Sequence, residues 1–267
     1  MRQQLTPQKN YRGYDKLVQL TILKITKYGP WTLSLGSDRE HQLQMLQASL
    51  YKDVQKLFSE KNSLVFLNRA DEFFAITNGL TLDDHIEIQK ELAKNFDLKL
   101  SMSIGFAETP FDANLRAYEG KKTENFLSKE HSIYGFVNGK SEQKVTIIHF
   151  DVENLTSKRQ NTSPFEISSM IFKLYSKMTE FFLKKNSLTF FMGGDNFMVV
   201  SDEFANKYAK EFIALAKKEL EVTLNCGIGT GKTAREAVKL ATKSLDTIRQ
   251  IRDSGKEKPE IYELSCF

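Results

Sequence analysis

The chain repeats itself. Ser63–Thr77 and Ser187–Ser201 each read as an apolar run, a polar centre with one Asp, and a second apolar run. Asp195 follows Asp71 by 124 positions. Leu100, Ile104, Gly105, Thr109, Ala113 and Ala117 recur at that same spacing as Leu224, Ile228, Gly229, Thr233, Ala237 and Ala241. Leu20–Thr26 resembles Val145–Asp151, with Asp151 lying 125 positions after Thr26. Three blocks holding one spacing indicate an internal duplication. Two modules of about 125 residues leave roughly 17 over, which the polar segment Met1–Lys16 absorbs. The expected division is a tail at 1–16, a first domain at 17–117, a linker at 118–143 and a second domain at 144–267.

Each half carries the same order of signals. A short β-rich apolar run is followed by an apolar stripe at helical steps: Leu43, Leu46, Leu50, Val54 and Leu57 in the first half, and Ile167, Met170, Ile171, Leu174, Met178, Phe181 and Phe182 in the second. Then come a hairpin with an acid at its turn, a second helix (His85–Lys94, Phe204–Leu220), a third run and a closing helix. The reading is an α+β chain of two tandem ferredoxin-like βαββαβ domains, with helices on one face of antiparallel sheets. The junction is polar, with a short helix expected over Glu124–Glu130.

Composition excludes several classes. With 38 basic and 34 acidic residues, a net charge of +4 is too small for a nucleic-acid coat. Two cysteines, Cys226 and Cys266, provide neither a disulfide framework nor a thiolate cage, and point to a reducing, cytosolic setting. The four histidines show no zinc spacing. No apolar run approaches the roughly 18 residues of a membrane span, and the N-terminus lacks an apolar signal core.

The second half carries the sharper constellation. Asp151 ends a buried strand, and Asp195 sits at a hairpin turn after Gly193 and Gly194. First and third strands are neighbours in this order of elements, so the two carboxylates are expected to meet at one sheet edge. With a backbone carbonyl at Val152, they suit one or two Mg²⁺ ions carrying a nucleotide's phosphates. The glycines let phosphate or base approach the backbone, with Asn196 beside them. Gly227-Ile-Gly-Thr-Gly-Lys-Thr233 fails as a P-loop, because Cys226 stands where that loop needs glycine. Read as a turn between a strand over Leu220–Cys226 and a helix, it would offer Gly231, Lys232 and a helix N-terminus to a polyphosphate.

The first half keeps one acid. Asp71 matches Asp195, Thr26 is read as standing where Asp151 stands, and Arg69 and Ala70 replace the glycines. Arg69 and Asp71 are expected either to help recognise a ligand or to form a structural pair. Trp31, within Tyr28-Gly-Pro-Trp-Thr32, either caps the core or stacks on a purine. Arg39-Glu40 reads as a capping or interdomain pair.

Taken together these stretches resemble the archaeal GTP cyclohydrolase III family. The residues that carry the likeness are Tyr28-Gly-Pro-Trp-Thr32, Arg39-Glu40 with Leu43-Gln44-x-Leu46-Gln47, Ala75-Ile-Thr-Asn-Gly79, His149-Phe-Asp-Val152, Phe191-Met-Gly-Gly-Asp-Asn196 and Gly227-Ile-Gly-Thr-Gly-Lys-Thr-Ala234, spanning Leu17–Arg252. The resemblance implies tandem palm-like modules and a Mg²⁺-dependent enzyme with two ions and K⁺ as activator. It implies opening of the GTP imidazole ring with phosphate release, giving a formylamino-pyrimidinone ribonucleotide monophosphate used in flavin and deazaflavin synthesis. GTP as the partner and a homo-oligomer go with it. On this resemblance Asp151 and Asp195 hold the metal and Lys232 with Gly193-Gly194 seats the triphosphate. Where the family often carries Ile-Asp-Asn-Tyr, this chain has Ile25-Thr26-Lys27-Tyr28. The competing readings are a nucleotidyl cyclase, suggested by the Gly-Gly-Asp hairpin, and a non-catalytic nucleotide sensor, suggested by Thr26.

Overall fold

A computed structural model describes residues 17–136, 144–158 and 160–266; the expected tail at 1–16 lies outside the described residues. The first half runs β1 (Val18–Ile25), α1 (Tyr28–Leu33), α2 (Glu40–Glu60), β2 (Leu64–Arg69), β3 (Glu72–Ile76), α3 (Leu82–Asn95), β4 (Leu100–Ala107), α4 (Pro110–Lys122), β5 (Phe126–Ser128) and β6 (Ile133–Gly135). The second runs β7 (Val145–Val152), α5 (Leu155–Lys158), α6 (Pro164–Leu183), β8 (Leu188–Gly193), β9 (Asn196–Ser201), α7 (Ala205–Leu220), β10 (Leu224–Gly231), α8 (Ala234–Asp253) and β11 (Ile261–Ser265). The sheet orders are β2-β3-β1-β4-β6-β5 and β11-β10-β7-β9-β8. In each, the first strand lies between the third and the fourth, as the βαββαβ order requires.

Local chemistry sets the element ends. The Ser163 hydroxyl accepts from the Glu166 N–H while the Glu166 carboxylate accepts from the Ser163 N–H, so α6 opens on a capping box. Thr81 and Asp84 do the same for α3. The expected stripes face inward: Leu50 and Val54 of α2 meet Leu23 and Ile25 of β1, and Leu174, Met178 and Phe182 of α6 meet Phe150 and Val199. The last buried position of the α2 stripe is Phe58, with the expected Leu57 only partly buried beside it.

Three expectations need correction. The sheets are mixed: β4 pairs with β6, and β10 with β11, in parallel. The closing helices do not join the others on one face. Ala113 and Ala117 of α4, and Ala237 and Ala241 of α8, pack on the opposite face, where small side chains let the helix lie close. The segment expected as a linker holds the end of α4 and the pair β5–β6, which extends the first sheet. No helix forms over Glu124–Glu130. Residues 137–143 of that segment lie outside the described residues.

The two halves share a core. Phe66 and Phe190, 124 positions apart, stack with ring centroids 4.1 Å apart and planes 7° from parallel. The Phe111 N–H donates to the Asn186 carbonyl at 3.0 Å, and the Arg235 N–H donates to the Asn62 carbonyl at 3.3 Å. These are one contact made twice, since Asn186 and Arg235 each lie 124 positions after Asn62 and Phe111. The duplication therefore packs about a local two-fold axis running near the stacked phenylalanines. Phe66→Ala is expected to lower stability by about 3–5 kcal/mol, read as a shifted denaturant midpoint. A shift under about 1 kcal/mol would show that the stack does not tie the halves together.

Candidate functional site

Strand pairing brings Asp151 and Asp195 to one sheet end. β7 and β9 are neighbours, with Asp151 opposite Asn196 and Asp195 in the turn just before it. Gly193 and Gly194 have φ of +98° and +63°, a left-handed pair that L side chains rarely adopt. A Cβ at either would meet nothing within 4 Å, so the backbone there faces open space. The Asn196 amide donates to Asp195 Oδ1 at 2.9 Å, and its Oδ1 lies 3.0 Å from His149 Nε2. The His149 ring is pinned on its other side by Thr242 Oγ1 at 3.3 Å. Burial holds His149 below its usual pKa, so the neutral ring is favoured. Thr242, His149 and Asn196 thus form a polar chain that orients Asp195.

The electrostatics of Asp151 are unbalanced. Its side chain is 13% exposed. Burial pushes its carboxyl above the usual range; the Arg249 guanidinium opposes this, and the nearby Asp195 charge adds to it. Arg249 Nη2 donates to Asp151 Oδ1 at 3.2 Å, and its Nη1 to Asp246 Oδ1 at 3.1 Å. Two adjacent carboxylates, one of them sheltered and short of positive charge, are a donor set that suits a hard divalent cation. Among the described residues no cluster of three or more His, Cys, Asp or Glu has metal-binding geometry, so two carboxylates are the acidic complement here.

A groove of about 490 Å³ adjoins the glycine turn. The start of α6 forms one wall, with Ile167, Ser168, Ile171 and Phe172, and Phe191 and Gly194 form the other. Phe172 and Phe191 meet edge to face at 6.0 Å, and Phe172 is 57% exposed. A volume in the range of about 300–1,000 Å³ with aromatic walls suits a planar heterocycle.

Lys232 and Gly231 are not part of this site. β10 runs antiparallel to β7, with Leu224 opposite Val152 and Gly231 opposite Val145. Lys232 therefore lies at the far end of the sheet, about seven strand residues or roughly 23 Å away. The glycine-rich run is a strand rather than a turn, and Leu220 closes α7. A Cβ on Gly227 or Gly229 would sit 2.1 Å from a carbonyl oxygen of α8, so these glycines admit the helix. The α8 N-terminus is already satisfied: the Lys232 N–H donates to Glu236 Oε2 at 2.6 Å, and Thr233 Oγ1 accepts from the Glu236 N–H. The cation that reaches Asp151 is Arg249, near the opposite end of α8, which the sequence reading missed.

The first half gathers its residues separately. Arg69, Asp71 and Trp31 lie at the corresponding end of the first sheet, and the paired contacts between halves involve the other ends. Arg69 Nε lies 3.8 Å from Asp71 Oδ1, and its Nη2 lies 3.4 Å from Glu72 Oε2. Trp31 is half-buried against Tyr28, with centroids 5.9 Å apart, and stands outside the buried core. Arg39 donates to the Gly36 carbonyl at 2.7 Å and lies 3.9 Å from Glu40, so that pair is local rather than interdomain. Thr26 is not the counterpart of Asp151. Lys24 is: it stands opposite Glu72 and Ser101, as Asp151 stands opposite Asn196 and Asn225. Thr26 matches Glu153, and their N–H groups donate to the carbonyls of Lys99 and Thr223. The connection from the first strand to the hairpin is three residues longer in the first half, which the resemblance of the strand ends concealed.

Comparison with known proteins identifies the family. The family model described as GTP cyclohydrolase III matches residues 19–259. The chain belongs to that family. Among its relatives is GTP cyclohydrolase III of Methanothermobacter thermautotrophicus, 34% identical over 87% of this chain and 95% of the relative. The Methanocaldococcus jannaschii protein of the same name is 34% identical over 87% and 88%. A GGDEF domain of DgcB from Caulobacter crescentus in complex with c-di-GMP superposes with a TM-score of 0.38 at 10% identity, covering 45% of this chain and 77% of that one. No helix among the described residues of this family member is long and apolar enough to cross a membrane.

Proposed function

We propose that the chain is a Mg²⁺-dependent GTP cyclohydrolase of type III, with its active site at the Asp151/Asp195 end of the second sheet. The observation that carries this, beside family membership, is the pair of adjacent carboxylates facing an open glycine turn, with Arg249 beside them and an aromatic groove alongside. Asp151 and Asp195 hold the metal, with the Val152 carbonyl available next to them. The bound metal supplies charge neutralisation at the triphosphate and an activated water for phosphate hydrolysis.

The chain's own groups do the rest. The left-handed Gly193-Gly194 backbone leaves room for phosphate oxygens. With a metal balancing Asp151, the Arg249 guanidinium beside it would be available to the phosphates, where a guanidinium makes forked contacts. His149 and Asn196 keep the Asp195 carboxylate aimed. The purine lies in the groove lined by Ile167, Ile171, Phe172 and Phe191, against the edge-to-face aromatic pair, while a second water attacks C8. Breaking the ring there leaves the formyl group on the former ring nitrogen.

Incubation with GTP and Mg²⁺, followed by mass and ultraviolet analysis, tests the reading. Ring opening adds water and removes the purine absorbance. Products that all retain the purine would overturn it: release of pyrophosphate would indicate a cyclase, and unchanged GTP a binding protein.

A further inference from the structure

The fold holds two copies of the sheet end that carries Asp151 and Asp195, and a charge reversal at the Asp151 position is among their differences. In the first copy the turn carboxylate survives as Asp71, but a lysine occupies the register position of Asp151. Lys24 Nζ lies 3.2 Å from Glu72 Oε2 and 4.0 Å from Asp71 Oδ2. Both acids are sheltered, with side chains 15% and 17% exposed. Sheltered carboxylates need a compensating charge. Arg69 supplies part of it from the strand edge. Lys121, at the end of α4, stands near enough to feel the Lys24 charge, and its Nζ donates to Ser101 Oγ at 2.5 Å. Three cations thus surround two carboxylates. In the second copy Asp151 and Asp195 face Arg249, whose side chain is 43% exposed and also pairs with Asp246.

We propose that Lys24 is a built-in cation that takes the place of a metal ion in the first copy. Each chain then has its divalent-metal site in the second half alone, although the fold is duplicated. An ion approaching Asp71 meets an ammonium already between it and Glu72, backed by two further cations. The inference rests on the proposed metal role of Asp151 and Asp195. It extends that reading by assigning the first copy a structural, metal-excluding state.

Counting bound Mn²⁺ by electron paramagnetic resonance, without nucleotide, tests it on the full chain. Mn²⁺ bound by the wild type is expected to be lost in the Asp151→Asn/Asp195→Asn double variant and unchanged in Asp71→Asn. Lys24→Asp is expected to gain Mn²⁺ binding, and adding Asp71→Asn to it is expected to remove the gain. Circular dichroism of each variant confirms folding. Mn²⁺ that survives the double variant and disappears when Asp71→Asn is added would overturn the inference. So would a folded Lys24→Asp protein that binds no more Mn²⁺ than wild type. The count does not depend on turnover, so a chain that binds Mn²⁺ at Asp151/Asp195 but leaves GTP intact sinks the activity and keeps this inference.

Discussion

Asp195→Asn is expected to cut GTP ring opening by roughly 10³-fold, a loss of about 4 kcal/mol of transition-state stabilisation. The substitution preserves shape and removes one negative charge from the pair facing the glycine turn. Asp195 sits on a hairpin turn, and its hydrogen-bond partner is the neighbouring Asn196 amide. The asparagine side chain keeps an oxygen for that contact, so the fold is expected to survive with little change in melting temperature. What is lost is half of the anionic charge available to a divalent cation. Initial rates followed by the decline in purine absorbance, beside a thermal melt, separate the two effects. A variant that retains activity within about tenfold of wild type would remove Asp195 from the metal site. Raising Mg²⁺ is expected to recover part of the rate if weakened metal binding, rather than misfolding, is the cause.

How much of this could be read from residues alone depends on what fixes each feature. The hairpins were legible because an apolar run, a turn and a second apolar run form a local pattern. From hairpins in a βαββαβ order, the adjacency of first and third strands follows, and so does the meeting of Asp151 with Asp195. Register was not legible. Thr26 and Asp151 both close an apolar strand, but the partners of Lys24 across β3 and β4 decide which position it occupies. The glycines of β10 mislead for a related reason. Gly227 and Gly229 are needed by the approach of α8, a contact between elements, yet glycine in a sequence reads as a turn. Once that stretch is a strand, Lys232 moves to the wrong end of the sheet. Arg249 carried no local signal at all. It is one of several cations on a helix, and only the path of α8 across β7 carries it to Asp151. The strands β5 and β6 are three residues each, too short for any period to show.

Arg249 and Lys232 therefore make opposite predictions, and the contrast is the sharper test of where the phosphates lie. Arg249→Ala is expected to lower kcat/KM for GTP by about 10²–10³-fold, the usual cost of removing one preorganised charge-stabilising donor. Lys232→Ala is expected to change it by less than about threefold, because its side chain lies at the far end of β10. Arg249→Ala has a second consequence. Without the guanidinium, burial and the Asp195 charge act on Asp151 against the Asn225 hydrogen bond alone, so its carboxyl rises further above the usual range. Protons then compete better for that carboxylate, and the acid limb of the activity profile is expected to move toward neutral pH. Arg249→Lys keeps the charge while losing the forked geometry, and is expected to restore the acid limb more fully than the rate. That split separates the two tasks assigned to Arg249, neutralising Asp151 in the empty site and gripping phosphate in the filled one. If Lys232→Ala proves the more damaging substitution, the triphosphate lies along the α8 N-terminus and the site drawn around Asp151 is wrong.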